Sequence, residues 1–257
     1  MLEVDIQKVS DAVSAVGVQD GDGLLVHSAI QYLGRPQGGV AMYLNAVQQV
    51  IGPDGTLAVP TFNFSFARGE RYDPEHDPST GMGVFSEYVR QQPRARRTQH
   101  PMQSLAVIGR HADDLAGRDT PGAFDPGSAF ERMLELDFKI LLLGADVNAI
   151  SLLHYSEQRC EVPYRYWKDF TSEVRTSRGW QARTYRMFVR EMDIDPQLTL
   201  NPVKDYLEAN GLWQSAALNY GYISSCRISD FISAVDSFLS RDPWILVKNK
   251  PQGNSRK

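Results

Sequence analysis

The sequence predicts an α/β fold in which helices cover both faces of a largely parallel sheet. Short, continuous apolar stretches alternate with stretches of helical periodicity, which is typical of buried strands connected by helices. The segment from Phe170 to Phe188 differs, because polar and apolar residues alternate on either side of Ser177-Arg178-Gly179. That alternation predicts an antiparallel hairpin inserted into the α/β pattern.

The first part of the chain supplies two pairs of a helix and a strand. Residues 4–17 place valines at helical spacing, and residues 24–28 (LLVHS) form a short apolar run that predicts a buried strand. Residues 38–52 carry one apolar stripe and end in glycine, which is a helix stop signal. Residues 56–60 (TLAVP) predict the second strand, and a polar loop rich in Pro and Gly follows to about residue 82.

The second part continues the same pattern around the predicted hairpin. Residues 84–90 (VFSEYVR) predict a helix, while residues 104–109 (SLAVIG) and 139–144 (KILLLG) predict further strands. The closing stretch ISDFISAVDSFLSRDPWIL has the apolar stripe of an amphipathic helix.

Composition and length favour one ordinary globular domain. Hydrophobic residues make up 42% of the chain and charged residues 23%, and no repeat or linker divides it. We therefore predict a single domain over residues 1–257 with a frayed tail from about residue 250. The net charge of −4 disfavours nucleic acid as a partner. No signal-peptide pattern and no apolar run of about 18 residues is present, so we expect a cytoplasmic protein without a membrane partner.

Common nucleotide and nucleophile motifs are absent from the sequence. It contains no GxxxxGK[ST], no GxGxxG between a strand and a helix, no GxSxG and no HExxH. Acid–base chemistry and binding therefore remain as the classes of function to consider.

Polar residues follow directly after the predicted strands. They are His27, Ser28, Thr61, Asn63, Asp146 and Asn148. In open α/β sheets, ligands bind beyond the carboxyl ends of the strands. A serine and free backbone N–H groups at such an end could hold a phosphate or a pantetheine amide. The alternative is an ordinary turn with polar caps.

The stretch SLLHYSEQ places a histidine and a glutamate three residues apart. If a helix begins near Ser151, His154 and Glu157 share one face, and the carboxylate can orient the imidazole and leave its other nitrogen as a base. A surface pair without function is the bland alternative. A metal site would need distant ligands such as His27 or His100, and no dense ligand motif predicts one.

A basic loop precedes the predicted strand at residues 104–109. Arg94, Arg96 and Arg97 lie close together, and His100 and Ser104 follow. The arginines could bind the phosphates of a large anionic cofactor, or they could form a solvated surface loop.

Seven stretches in order resemble the aminoglycoside 3-N-acetyltransferase family from about Asp22 to about Pro243. They are LLVHSAIQYLG, GPDGTLAVPTFNF, YDPEHDPSTGMGVFSEYVR, RRTQHPMQSLAVIG, PGSAFERM, ILLLGADVNAISLLHYSEQ and the closing ISDFISAVDSFLSRDPWIL. The resemblance implies a three-layer α/β/α sandwich with a mixed sheet. It also implies acetyl-coenzyme A as the donor and an amino group of an aminoglycoside or a related amino sugar as the acceptor.

The same resemblance implies roles for individual residues. His154 matches the catalytic histidine and Glu157 the glutamate that accompanies it, while HSAI and HPMQS match regions that line the coenzyme A channel. On this basis, the expected cofactor-binding residues are His27, Ser28, Thr61, Arg97, His100 and Ser104. No metal is expected. A homodimer remains an open alternative.

The sequence departs from the family pattern near the acceptor. Asn148 stands where an aspartate is frequent, and Asp146 is the expected third catalytic residue because it could supply that carboxylate. Asp73 and Asp77, in an acidic loop, are expected with Asn148 to bind a cationic acceptor. The alternatives are an amino-sugar acyltransferase of surface-polysaccharide or natural-product biosynthesis, a metal-dependent hydrolase, and an inactive member that binds a partner.

Overall fold

The computed structural model describes residues 2–250. Its strands are β1 (Glu3–Val4), β2 (Gly23–Ser28), β3 (Arg35–Pro36), β4 (Thr56–Pro60), β5 (Arg96–Arg97), β6 (Leu105–Gly109), β7 (Lys139–Leu143), β8 (Arg165–Thr176), β9 (Gly179–Arg190), β10 (Gln214–Leu218) and β11 (Gly221–Arg227). Its α-helices are α1 (Ile6–Ala15), α2 (Ala41–Ile51), α3 (Gly83–Arg90), α4 (Ala112–Ala116), α5 (Ala129–Glu135), α6 (Leu153–Arg159), α7 (Asn201–Ala209) and α8 (Ile228–Arg241). The predicted frayed tail, apart from its first residue, lies outside the described residues.

Seven strands form a mixed sheet in the order β10-β11-β7-β2-β4-β6-β5. The strand β2 pairs in parallel with β7 and β4, and the remaining neighbours pair antiparallel. The predicted mixed α/β sheet is confirmed, but its parallel part is limited to three central strands. The apolar run of β6 resembles that of a parallel strand because both of its faces are buried. Apolarity reports burial and carries no information on strand direction.

Helices cover both faces of this sheet, as the three-layer prediction requires. Successive side chains of a strand point to opposite faces, so Leu24 and Val26 pack with α1, α2 and α3. Leu25 belongs to the other core, which contains residues of the helices α4 to α8. The two cores are thus separated by one sheet, and each is closed by its own layer of helices.

The predicted hairpin is confirmed and is longer than the sequence pattern indicated. The strands β8 and β9 pair with each other over twelve residue pairs and form a separate two-stranded sheet. Gly179 has a φ of 94° at the turn, a conformation that glycine adopts without strain. The hairpin packs on a small apolar cluster of its own. Its buried members are Phe66, Tyr72, Met102, Val174 and Tyr185.

Two strands and a helix between the hairpin and α8 were not predicted from the sequence. The strand β10 is largely exposed, and β11 contains the small polar pair Ser224-Ser225. Neither has the apolar run or the clean alternation on which strand prediction depends. Within residues 2–250, no helix combines the length and the apolar character needed to cross a membrane.

Candidate active site

The helix α6 holds a histidine–glutamate pair just beyond the carboxyl end of β7. His154 lies in the first turn and Glu157 one turn later, and the distance from His154 Nδ1 to Glu157 Oε2 is 2.6 Å. The Glu157 side chain has no exposed surface, whereas 32% of the His154 side chain is exposed. The predicted pairing on one face of a helix is therefore present in the structure.

The hydrogen-bonding partners of Glu157 determine which nitrogen of His154 carries the proton. Arg165 Nε lies 2.7 Å from Glu157 Oε2, and Arg165 Nη2 lies 3.1 Å from His154 Nδ1. One ring nitrogen cannot donate to a carboxylate and accept from a guanidinium at once. Because Glu157 is a carboxylate that accepts from His154 and is ion-paired with Arg165, the proton lies on Nδ1. The lone pair of His154 is then on Nε2.

Glu157 is kept ionised although it is buried. Burial, the largest effect, raises the pKa of its carboxyl, but His154 and Arg165 together outweigh it and bring the pKa below its ordinary value. Burial and the charge of Glu157 both raise the pKa of the Tyr164 hydroxyl, which therefore stays neutral. The carboxylate can thus hold the imidazole in one orientation.

The exposed part of His154 faces a cavity of about 80 Å³ beneath the hairpin, which we call the histidine cavity. Four of its eleven lining residues are phenylalanines, and the Phe124 ring lies edge-on to the imidazole with 6.5 Å between the ring centres. The lining residues are Phe62, Phe64, Gln103, Ala123, Phe124, His154, Gln158, Arg165, Arg186, Met187 and Phe188.

Two further cavities share lining residues in series with the histidine cavity. The first, of about 240 Å³, shares Phe62 with it and lies at the ends of β2 and β4. The second, of about 380 Å³, shares Gly81 and Met82 with the first and is bordered by the start of α3. We call this pair the donor groove. Phe62 is the residue that the donor groove shares with the histidine cavity.

His27 and Ser28 line the inner part of the donor groove, as the sequence prediction for the end of β2 requires. The Ser151 backbone N–H donates to His27 Nε2 at 3.1 Å, so the proton of the neutral ring lies on Nδ1. That buried Nδ1 has no hydrogen-bond partner among the described residues. His27 thus connects the end of β2 to the segment that leads into α6.

Arg97, Thr61 and Ser104 form a buried network and line neither the donor groove nor the histidine cavity. Arg97 Nε donates to both hydroxyls at 3.2 Å, and its two terminal nitrogens donate to the carbonyls of Thr61 and Asp77. Its guanidinium also lies 5.1 Å from the centre of the Tyr72 ring. The predicted contact of these three residues with a cofactor is not supported by this geometry. They hold the loop that precedes α3 against the ends of β4 and β6.

His100 also lies outside the cavities, although it was expected to bind the cofactor. Its Nε2 donates to the Arg186 carbonyl at 3.3 Å, and its ring packs against Tyr185 at 4.9 Å. His100 therefore anchors the hairpin to the loop that precedes β6. In sequence, a buried anchoring histidine in HPMQS has the same appearance as a ligand-binding one, and a cofactor contact of His100 stays a prediction.

Burial of His27 and His100 predicts loss of stability in mild acid. Burial lowers the pKa of each from 6.5 to about 4. In the unfolded chain both rings take up a proton near pH 6.5, whereas in the fold they do so only near pH 4. Lowering the pH through this interval therefore favours the unfolded chain. We expect the free energy of unfolding to fall by roughly 2 kcal/mol for each histidine between pH 7 and pH 5.

Urea unfolding at pH 7 and pH 5 measures this loss. The H100Q variant should show a smaller difference between the two pH values, and H76Q, which alters an exposed ring, should keep the full difference. Equal stability of the unmodified protein at both pH values would contradict the prediction.

Asp146 and Asn148 support the chain between β7 and α6. Asp146 caps a short 3-10 helix by accepting from the Asn148 backbone N–H at 2.9 Å. Asn148 Oδ1 accepts from the Leu200 backbone N–H at 2.7 Å, which ties this turn to the start of α7. Neither side chain lines the histidine cavity, so the expected catalytic and acceptor-binding roles have no support in this geometry.

Asp73 and Asp77 stabilise their own loop. Asp77 accepts from the Asp73 backbone N–H at 2.7 Å, and Asp73 Oδ2 pairs with His76 Nδ1 at 3.0 Å. Neither residue lines the histidine cavity or the donor groove. Within residues 2–250, no cluster of three or more His, Cys, Asp or Glu side chains is arranged to hold a metal ion.

Sequence reasoning missed most of the residues around His154. Arg165 and Arg186 come from the hairpin, and Phe124 and Asp125 from the loop before α5. Asp125 is almost completely buried, accepts from Gln158 Nε2 at 3.0 Å and pairs with Arg186 at 3.1 Å. No spacing in the sequence connects these segments with α6, because they meet only through tertiary packing.

The fold matches that of a structurally characterised enzyme complex. AAC-IIIb in its binary complex with CoASH superposes with a TM-score of 0.84 at 20% identity, over 93% of this chain and 97% of that one. Residues 25–240 match the family model described as aminoglycoside 3-N-acetyltransferase, so the chain falls in a class of acyltransferases.

Curated relatives agree with this class. Aminoglycoside N(3)-acetyltransferase III of Salmonella sp is 33% identical over 177 residues, which are 62% of this chain and 62% of that protein. The alignment thus spans less than two-thirds of that relative. Aminoglycoside N(3)-acetyltransferase IV of Salmonella sp is 28% identical over 245 residues, 94% of this chain and 89% of that protein. The chain belongs to the aminoglycoside 3-N-acetyltransferase family, which confirms the resemblance inferred from its sequence.

Proposed function

We propose that this protein is an acetyl-coenzyme A-dependent N-acetyltransferase that acts on an amino group of an aminoglycoside or a related amino sugar. The observation that carries the proposal is the pair formed by His154 and the buried Glu157 at the wall of a cavity. Membership of an acyltransferase family supports the reaction type.

The pair is suited to general-base catalysis. Glu157 holds the proton on Nδ1 of His154, so Nε2 can accept a proton from the attacking amine. As the nitrogen adds to the thioester carbonyl, a C–N bond forms, the C–S bond breaks and coenzyme A leaves as a thiolate that is then protonated. General-base assistance of this kind contributes roughly 10²–10⁴-fold to the rate. Placing the two substrates side by side supplies a further part of the acceleration.

We assign acetyl-coenzyme A to the donor groove. This assignment is supported by the series of shared lining residues, which runs from the start of α3, past His27 and Ser28, to Phe62 of the histidine cavity. Gly83 and Val84 begin α3 at the outer end of the groove, and the N-terminus of a helix favours a negatively charged phosphate. We assign the phosphates to this outer end and the pantetheine arm to the inner part.

A charge placed at the start of α3 should change the affinity for the donor. Val84 is 59% exposed, so replacing it does not disturb the core. We expect V84D to raise the KM for acetyl-coenzyme A roughly 2- to 10-fold through repulsion of the phosphates, and V84K to leave it unchanged or lower it. Steady-state kinetics at two salt concentrations checks this, since the effect should shrink at high salt. Equal KM values for the two variants would contradict the assignment of the phosphates to the start of α3.

The reaction itself is tested by thiol release from acetyl-coenzyme A with a panel of amines. The panel contains aminoglycosides, amino sugars and simple amines, and calorimetry measures acetyl-coenzyme A binding in parallel. Thiol release that depends on an amine, with an N-acetylated product in mass spectrometry, is the expected result. Absence of both binding and release would refute the proposed function.

A further inference from the structure

The hairpin that covers the histidine cavity carries a charge opposite to that of the rest of the chain. Between Arg165 and Arg190 it contains seven basic and two acidic residues, a net charge of +5, in a chain whose net charge is −4. The remaining residues therefore have a net charge of −9. A positive segment directly above a binding cavity attracts anions and repels cations.

The histidine cavity itself has no acidic lining residue. Among the residues that line it within the described chain, the only fully ionised side chains are Arg165 and Arg186. The nearest carboxylates, Glu157 and Asp125, lie behind the wall and are paired with these two arginines. An aminoglycoside carries several ammonium groups, and each of them would be desolvated here without a carboxylate to replace water.

Arg186 is held in position with hydrogen-bonding capacity left over. Its guanidinium lies 4.5 Å from the centre of the Trp167 ring, which fixes the plane of the group. Within residues 2–250, its side chain donates one hydrogen bond, to Asp125 Oδ2 at 3.1 Å. A guanidinium has five N–H donors, so the others remain available, and 44% of the side chain is exposed. Arginine in this arrangement binds planar or tetrahedral oxyanions with two parallel hydrogen bonds.

The uncharged part of the cavity suits a sugar ring. Phe124 and Phe188 offer flat apolar surfaces, and the Gln103 side chain lines the wall without a partner among the described residues. Aromatic faces pack against the C–H groups of a pyranose. The amide of glutamine can donate a hydrogen bond to the sugar hydroxyl groups or accept one from them. This combination distinguishes a hydroxylated ring from a purely aliphatic amine.

We propose that the acceptor is an amino sugar that also carries an oxyanion, a phosphate or a carboxylate, and that Arg186 binds this group while His154 receives the proton of the amine. This inference rests on the proposed function and selects one acceptor class within it. Arg165 acts as a positioning residue, because it is committed to Glu157 and contributes mainly its charge.

Matched acceptors test this directly. Glucosamine, glucosamine 6-phosphate and 2-amino-2-deoxyglucuronate share one amine and differ in the anionic group, and gentamicin serves as the polycation. We expect kcat/KM for at least one anionic sugar to exceed that for glucosamine and for gentamicin by roughly 10-fold or more. The two anionic sugars distinguish a phosphate from a carboxylate. Calorimetric titration of each compound gives the same ranking without relying on turnover.

Replacement of Arg186 provides the second arm of the test. R186Q should raise the KM for the anionic sugar roughly 10- to 100-fold, and by at least about 10-fold more than it raises the KM for glucosamine or for acetyl-coenzyme A. R183Q is the matched control, since Arg183 is an exposed arginine of the same strand that does not line the cavity. R183Q removes the same charge from the hairpin and should change the KM for the anionic sugar little.

The possible failures are distinguishable. Three results would each overturn the inference while leaving acyl transfer intact. They are a preference for gentamicin, equal binding of neutral and anionic sugars, and an R186Q variant in which the KM for acetyl-coenzyme A rises instead of the KM for the anionic sugar. Absence of acetyl-coenzyme A binding would instead refute the proposed function, and the titrations with the sugars would still decide whether the cavity prefers anions.

Discussion

Replacement of His154 by alanine should reduce kcat by roughly 10²–10⁴-fold while acetyl-coenzyme A still binds. The imidazole is the one side chain of the histidine cavity with a free nitrogen lone pair oriented by a buried carboxylate. Because 32% of its side chain is exposed, its removal should alter folding little. Steady-state kinetics and calorimetric titration with acetyl-coenzyme A measure the two effects separately.

His76 offers a matched control for this variant. It pairs through Nδ1 with Asp73, three residues earlier, but it lies on the surface with 77% of its side chain exposed. H76A should therefore keep full activity. If H154A retained more than a tenth of the activity, the general-base role would be lost and substrate positioning alone would have to explain turnover.

The second large effect is expected at Arg97, and it concerns stability. R97A would remove the side-chain donor of the Asp77 carbonyl, leave the Thr61 carbonyl with Ser104 Oγ as its remaining side-chain donor, and open a cavity beneath the Tyr72 ring. We expect a loss of roughly 2–5 kcal/mol in the free energy of unfolding. Urea unfolding at neutral pH measures this loss.

The neighbouring Arg96 provides the control. Its side chain is 54% exposed and pairs with the exposed Asp113, and such surface pairs contribute at most about 1 kcal/mol. R96A should therefore unfold almost as the unmodified protein does. A stable R97A protein with a raised KM for acetyl-coenzyme A would instead restore the phosphate-binding role expected from the sequence.

The sequence could predict elements whose signals are local. The strand β4 was placed with its observed limits, and the hairpin was recognised from alternation around its turn. The pair of His154 and Glu157 followed from a spacing of three on one helix. Each of these signals lies within about twenty residues, where periodicity and turn chemistry determine the structure.

Predictions that needed tertiary information were less successful. The antiparallel direction of β6 depends on how the chain returns to the sheet, which an apolar run does not encode. Cofactor binding by Arg97 and His100 stays a prediction, because polar residues after a strand end have the same appearance in sequence whether they face a groove or anchor a loop, and the structure shows only the anchoring contacts. No sequence pattern indicates a role for Arg186, since only packing of the hairpin over α6 brings it near His154.

The hairpin formed by β8 and β9 pairs with no strand of the seven-stranded sheet and packs mainly on a small apolar cluster outside the two main cores, with Phe188 also packed against one of them. Exposed positions of such a segment can change without disturbing the seven-stranded sheet, provided that Arg165 keeps its contact with Glu157. Enzymes that descend from one ancestor could therefore diverge in the compounds they modify through changes in this hairpin, while the reaction is conserved. Grafting Tyr166–Val189 from a relative, while retaining Arg165, would transfer selectivity as a unit.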